Sequence, residues 1–289
     1  MDVATRIEKA LNHAIGLADQ PGCPPRLAAA MRAAVFPKGA RVRPRLCHAV
    51  ASACGDDEPG ATDAAGAAIE LLHCASLVHD DLPCFDDAAL RRGRPSIHAA
   101  FGEPLAVLAG DALIVLSFHT MARASCSPAR LTALIGTVGG AVGVPHGIVA
   151  GQAWECEPKI DLSRYHRSKT GALFAAATVC GAAAAGAEDA EAWRLLGEKI
   201  GEAYQVADDI SDAAGDEYEG GKPVGKDAAL GRPSAVMQYG LNGAISYLHD
   251  LVADGIRAMP ACANAHELRA LIAQEAKRLV PKRLAQSAA

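Results

Sequence analysis

Aromatic residues are scarce, at 4% of a chain that is 51% hydrophobic. Ala and Leu outnumber β-branched residues in the long apolar segments, a balance that favours closely packed helices over sheet. Positive charge is not in excess either: the formal net charge is −5 and the pI near 6.1, which leaves no electrostatic footprint for nucleic acid. The nine cysteines (23, 47, 54, 74, 84, 126, 156, 180, 262) form an odd set without a C-x-x-C pair. With no secretory leader ahead of them, they are expected to be reduced cytoplasmic thiols. Met1 to Asp19 sets Arg6, Glu8 and Lys9 among Val3, Ile7, Leu11 and Ile15, an amphipathic helix rather than a membrane span. Leu131–Trp154 and Gly171–Ala187 carry no charge, but both are rich in Ala and Gly and the first is broken by Pro145-His146-Gly147, so buried helices are expected and no transmembrane segment. No Ser/Gly/Pro-rich linker or composition shift divides the chain, and one all-α domain over residues 1–289 is expected.

What the sequence does contain is acid in two places. His79-Asp80-Asp81-Leu82-Pro83-Cys84-Phe85-Asp86-Asp87 puts four carboxylates within eight residues. An apolar helix, Ala67 to Val78, leads into it, and Pro83 predicts that this helix ends near Leu82. On a straight helix six residues at about 100° each would turn Asp86 away from Asp80, so only a break brings them together. Carboxylates this close repel one another without a cation between them, and hard oxygen ligands suit magnesium, which keeps waters and takes its other ligands from substrate phosphates. Taken alone, the cluster is equally well read as a solvated acidic turn.

The second cluster, Tyr204-Gln205-Val206-Ala207-Asp208-Asp209-Ile210-Ser211-Asp212, places Asp208 and Asp212 at i and i+4 on one helical face shared by Gln205, with Val206 and Ile210 on the apolar side. Like charges at that spacing cost a helix roughly a few tenths of a kcal/mol. The economical explanation is two carboxylate walls facing each other across a magnesium-bound diphosphate. Basic residues accompany both: Lys38, Arg41, Arg43 and Arg45 in one loop, Arg91, Arg92 and Arg94 after the first cluster, and Lys169, Lys222 and Lys226 in the second half. Guanidinium and ammonium groups hold phosphate oxygens that metals leave free. Arg43, Arg45 and Arg94 are read as surface charges, and His79 and His98 as structural.

Breakers and caps order about ten or more helices. After the first come a short one over Leu27–Val35 and one closing near Cys54. Thr62 to Leu82 and Pro104 to Ala124 are the long central helices; Ser127-Pro128 starts another. A helix with Gln152 and Glu155 follows, then Leu162–Ala185, Glu188–Ala214, Ser234–Met259 and Ala265–Leu284.

These motifs together resemble the trans-isoprenyl diphosphate synthases. The likeness runs from Gly39-Ala40-Arg41-Val42-Arg43-Pro44 through Asp80-Asp81-x-x-x-x-Asp86, Leu90-Arg91-Arg92-Gly93-Arg94-Pro95-Ser96, Lys169-Thr170-Gly171 and Gln205-x-x-Asp208-Asp209-x-x-Asp212 to Gly221-Lys222-Pro223-Val224-Gly225-Lys226-Asp227. Within the family it is most similar to the bacterial geranylgeranyl diphosphate synthases of carotenoid pathways. The resemblance implies a helical bundle around a central cavity, a homodimer, and condensation of isopentenyl diphosphate with an allylic diphosphate. It implies three magnesium ions held by Asp80, Asp86 and Asp208 with Asp81, Asp209 and Asp212 in support. Arg91, Lys169, Thr170, Gln205 and Lys222 would contact the allylic diphosphate, with Arg91, Lys169 and Lys222 counted beside the first three aspartates as catalytic. Gly39, Arg41, His73 and Arg92 would serve isopentenyl diphosphate.

One departure is plain: the family's usual Gly-Gly-Lys-Arg is Lys38-Gly39-Ala40-Arg41 here. Either Lys38 reaches in from two residues earlier, or the site has one cation fewer. Family precedent also makes the residues just before the first Asp motif the wall of the product tunnel. Ala75 and Ser76 are both small, and Leu71 and Leu72 lie one turn earlier, about 5 Å and so about one isoprene unit. A twenty-carbon product is expected, with the two-residue-longer first Asp motif as a second restriction and Ala75→Tyr as the change that shortens it to farnesyl diphosphate.

Three other readings account for less. A His-Asp phosphohydrolase using His79-Asp80 with His48 or His73 leaves the second cluster and Arg91-Arg92 unexplained. A terpene cyclase would replace the second Asp motif with an Asn/Ser/Glu pattern. A regulatory subunit of a heteromeric synthase would carry damaged Asp motifs, and both are whole.

Overall fold

The structure is a computed structural model that describes residues 1–36, 39–159, 162–214 and 234–279, with backbone only at 162, 163, 214 and 277. Lys38, Lys222 and Lys226 lie outside the described residues. Among the described residues the fold is all-α apart from one hairpin of two short strands. Its helices gather into two compact units, Met1–Val138 with Val179–Ala190 and Gly139–Thr178 with Glu191–Ala289.

In the first unit α1 (Val3–Ile15) is capped by Asp2, whose carboxylate accepts from the Thr5 N–H at 2.9 Å. It is followed by α2 (Pro25–Val35), α3 (Val42–Cys54) and α4 (Pro59–Asp80). Both α2 and α4 open on a proline, whose missing N–H costs nothing in a first turn. A hairpin of β1 (Leu90–Arg91) and β2 (Arg94–Pro95) precedes α5 (Ile97–Phe101), α6 (Glu103–Ala122) and α7 (Pro128–Val142). The core of this unit is α4 packed on α6 and α1, through Leu71, Ala75 and Val78 against Ala109, Leu113 and Leu11, all buried. Small side chains at the contacts let the helices approach closely, as the scarcity of aromatics foretold.

By length and composition α6 is apolar enough to cross a membrane. One side of it is buried through Ala106, Ala109, Gly110 and Leu113; Val107, Leu108 and Val115 are exposed on the other.

The second unit carries α8 (Ile148–Ala153), α9 (Leu162–His166), a five-residue π-turn (Arg167–Gly171), α10 (Ala172–Ala184, whose end returns to the first unit), α11 (Arg194–Ala214), α12 (Ala235–Arg257) and α13 (Ala265–Leu279). Its core holds Phe174, Leu196, Ile200, Val206, Ile210, Leu248 and Leu251. The single helix expected over Leu162–Ala185 is therefore interrupted by the π-turn. At Gly201 of α11 an added Cβ would come 2.7 Å from the Cα of Gly171, so the turn lies hard against α11.

Candidate active site

In the first unit α4 ends at Asp80, two residues before the end expected near Leu82, and the chain folds back over its own end. The Asp86 N–H donates to the Asp80 carbonyl at 3.0 Å and the Ala88 N–H to the Asp81 carbonyl at 3.1 Å. That reversal returns Asp86 beside Asp80, both half-buried.

Asp81 has a different task. It is 2% exposed and receives Arg91 side-on, from Nε at 3.0 and 3.1 Å and from Nη2. A bidentate guanidinium–carboxylate pair fixes both partners. Hydrogen bonding and charge from Asp81, with Asp80 and Asp86 beyond, hold the guanidinium pKa up against the opposing effect of burial, which is the larger single influence. Asp81, expected to support the metal, has its carboxylate paired with Arg91 in this structure.

The hairpin that carries Arg91 turns at Arg92 and Gly93, which both have positive φ, the requirement of the tightest hairpin turns. Arg92 then lies over Gly39, where an added Cβ would sit 2.5 Å from Nη1. A side chain at Gly39 would displace the Arg92 guanidinium from this position.

Arg41, expected to bind substrate, is engaged within the fold. It is 6% exposed, with φ of 50°, and its guanidinium donates to Glu70 at 2.8 Å, Glu8 at 3.0 Å and the Val35 carbonyl at 2.9 Å. Arg41 therefore ties α1, α2 and α4 together. Its half-buried neighbour Arg43, read as a surface charge from the sequence, exerts the largest charge effect on His73. Burial first, then the charges of Arg43, Arg92, Arg91 and Arg41, push the His73 pKa well below the ordinary range, so the imidazole is neutral. Arg43 lies inside α3, whereas Arg41 precedes its first residue in a left-handed conformation, a difference that the shared loop of basic residues did not reveal. His79 lies 3.3 Å from the Val107 carbonyl and His98 3.1 Å from the Ala88 carbonyl, structural contacts as expected.

The second unit repeats the division of labour. Asp208 is exposed and Asp212 half-buried on one face of α11, whereas Asp209 is 3% exposed. Asp209 accepts from the Ala235 N–H at 2.7 Å, at the start of α12, and from Gln205 Nε2 at 3.0 Å. The Gln205 amide oxygen in turn accepts from the Thr170 hydroxyl at 2.7 Å. Like Asp81, Asp209 braces its surroundings, here the start of α12 and Gln205. Lys169, next to Thr170 on the π-turn, donates to Glu155 at 2.5 Å.

Among the described residues no three His, Cys, Asp or Glu side chains form a closed metal site. The carboxylates of Asp80, Asp86, Asp208 and Asp212 suit magnesium nonetheless, since that ion keeps its waters and accepts substrate oxygens.

Helical bundle, paired acidic motifs and accompanying cations define a class. The polyprenyl synthetase family model matches residues 24–266, and the chain belongs to that family. It is 51% identical over 281 residues to the geranylgeranyl diphosphate synthase of Cereibacter sphaeroides, covering 97% of each chain. Among solved structures it is similar to the Helicobacter pylori geranyltransferase complexed with magnesium and isoprenyl diphosphate, at 30% identity and a TM-score of 0.79 over 96% of this chain and 97% of that one. It is equally similar to an FPP/GFPP synthase from Zymomonas mobilis, at 32% identity and a TM-score of 0.79 over 96% and 99% of the two chains.

Proposed function

We propose that this prenyltransferase is a magnesium-dependent geranylgeranyl diphosphate synthase. The carrying observation is the 51% identity to a synthase of that product across 97% of both chains. In this reading Asp80, Asp86 and Asp208, with Asp212, hold three magnesium ions on an allylic diphosphate, aided by Arg91, Lys169, Thr170, Gln205 and Lys222. Magnesium, when bound, supplies positive charge to the leaving diphosphate. Lys169 and Arg91 add fixed charge where negative charge develops, so the carbon–oxygen bond electrons leave with diphosphate and an allylic cation remains. Arg43, His73 and Arg92 present isopentenyl diphosphate, with Gly39 as the space behind Arg92. Its double bond attacks the cation, forming the new carbon–carbon bond, and the released diphosphate takes the proton whose loss restores the alkene.

Product length rests on α4. Ser76 is half-buried, one turn before Asp80, and its hydroxyl donates to the His73 carbonyl at 2.8 Å; Ala75 is fully buried in the helix-packing core. Both are small, which favours twenty carbons over fifteen. The whole chain is proposed to act as one cytoplasmic catalytic domain in carotenoid-type isoprenoid synthesis, without a transmembrane segment. It is further proposed to be a homodimer covering the exposed Leu108 and Val115 of α6.

Incubation with dimethylallyl, geranyl and farnesyl diphosphates in turn, with labelled isopentenyl diphosphate and magnesium, followed by product sizing, tests this. A twenty-carbon product that disappears on chelation is expected. Phosphate release without isopentenyl diphosphate would overturn the reading in favour of a phosphohydrolase.

A further inference from the structure

Glu155 is a carboxylate beside a lysine that should meet a diphosphate, where a negative charge weakens binding unless it does something else. Three donors converge on it. Lys169 Nζ at 2.5 Å and the Tyr165 hydroxyl at 2.6 Å both donate to Oε1, and Gln152 Nε2 donates to Oε2 at 3.0 Å. The Lys169 ammonium also lies 5.7 Å from the centre of the Tyr165 ring, within cation–π range.

This is not a loose surface pair: the side chains of Glu155 and Lys169 are 14% and 23% exposed. Exposed pairs are worth little because water competes and two long side chains must be ordered. Here the backbone has already done part of the ordering. The π-turn Arg167–Gly171 carries Lys169, and Gly151 of α8 lies so close that an added Cβ would come 2.4 Å from the Lys169 nitrogen. A π-turn inside a helical run is a costly local geometry found mostly at functional sites. A lysine stem has four rotatable carbons, and freezing them at the moment of binding would cost affinity. Holding the ammonium beforehand removes that cost.

We infer that Glu155 is the positioning residue for Lys169: with Tyr165 and Gln152 it forms a carboxylate cradle that holds the ammonium group aimed before the allylic diphosphate arrives. The inference rests on the prenyl-transfer reading for the role of Lys169, and goes beyond it in assigning Glu155, Tyr165 and Gln152.

Three variants test it. Glu155→Gln keeps the shape but removes the charge; kcat/KM for the allylic substrate should fall roughly 10-fold or more, the scale of one lost coupled interaction, while KM for isopentenyl diphosphate stays within twofold of wild type. Glu155→Asp should restore part of the loss. Tyr165→Phe should produce a smaller loss of the same sign. In a Lys169→Gln background, Glu155→Gln should add less than twofold, because its effect runs through Lys169. Calorimetric binding of inorganic diphosphate with magnesium should weaken in parallel in the single variants, a readout that needs no turnover.

Wild-type kinetics in Glu155→Gln, or an undiminished penalty in the Lys169→Gln background, would overturn the cradle. A changed magnesium requirement in Glu155→Gln would overturn it too, making Glu155 a metal ligand instead. If the wild type transfers no prenyl group, the earlier reading fails, and diphosphate binding still decides the role of Glu155. Should Glu155→Gln not fold, Glu155→Asp and Tyr165→Phe carry the same comparison.

Discussion

Adjacent aspartates with nearly identical sequence surroundings have opposite fates. Asp80 is half-buried and Asp208 exposed, while Asp81 and Asp209 are buried against Arg91 and the start of α12. Removing Asp80, Asp86 or Asp208 with alanine should therefore cut turnover by orders of magnitude and leave thermal unfolding near wild type, since a metal ligand is lost and no packing is. Asp209→Ala should instead lower stability by about 1–3 kcal/mol, because the Ala235 N–H loses its buried acceptor. Near-normal turnover in the first three, or an unshifted melting curve in the last, would reverse the division. The two arginines of the preceding loop divide likewise. Arg41→Ala strands Glu70, 2% exposed, without its closest cation, and should cost ~3–5 kcal/mol. Arg43→Ala should leave stability alone and raise KM for isopentenyl diphosphate. Ala40→Lys, which restores the family's cation, should lower that KM; if it does not, and Lys38→Ala is severe, Lys38 already serves.

At the scale of elements, α4 is where sequence and structure agree most closely. Its apolar run, its proline-imposed end and the return of Asp86 to Asp80 all follow from local rules, and all are observed. The π-turn was not legible, because it depends on Gly151 and Gly201 drawing close to it from 20 and 30 residues away in a run that reads as continuous helix. The burial of Asp81 and Asp209 was equally hidden, since their partners come from a hairpin and from α12. The product gate turns on the same helix. Ala75→Tyr was the expected shortening change, but Ala75 is 1% exposed in the core, where a large side chain should overpack at a cost of ~1–3 kcal/mol. Ser76→Phe, on a half-buried position, should fold normally and shift the product from twenty to fifteen carbons on chromatography. A folded Ser76→Phe enzyme still making the longer product would return the gate to Ala75.

For the molecule as a whole, α6 and a buried histidine set the conditions under which it works. Val115→Lys on the exposed face of α6 should split a dimer into monomers on a sizing column if that face is the one covered by a second copy. Acid tolerance is set more deeply. His48 of α3 is buried beside Gly66 of α4, its Nε2 3.5 Å from Asp63. Burial, then the charge of Arg6, lower its pKa to about 4, against the smaller opposing pull of Asp63 and Asp56. In the unfolded chain the same ring titrates near 6.5. Between those values the unfolded state binds the extra proton, so stability is full above about pH 6.5 and declines as pH falls toward 4. The loss from this one ring reaches roughly 2 kcal/mol by pH 5. His73, depressed by burial and by four arginines, contributes with the same sign. His48→Gln should remove the first contribution, so that denaturant unfolding at pH 7 and pH 5 differs less in the variant than in the wild type. Equal differences in both would show that His48 takes up its proton without opening the interface of α3 with α4.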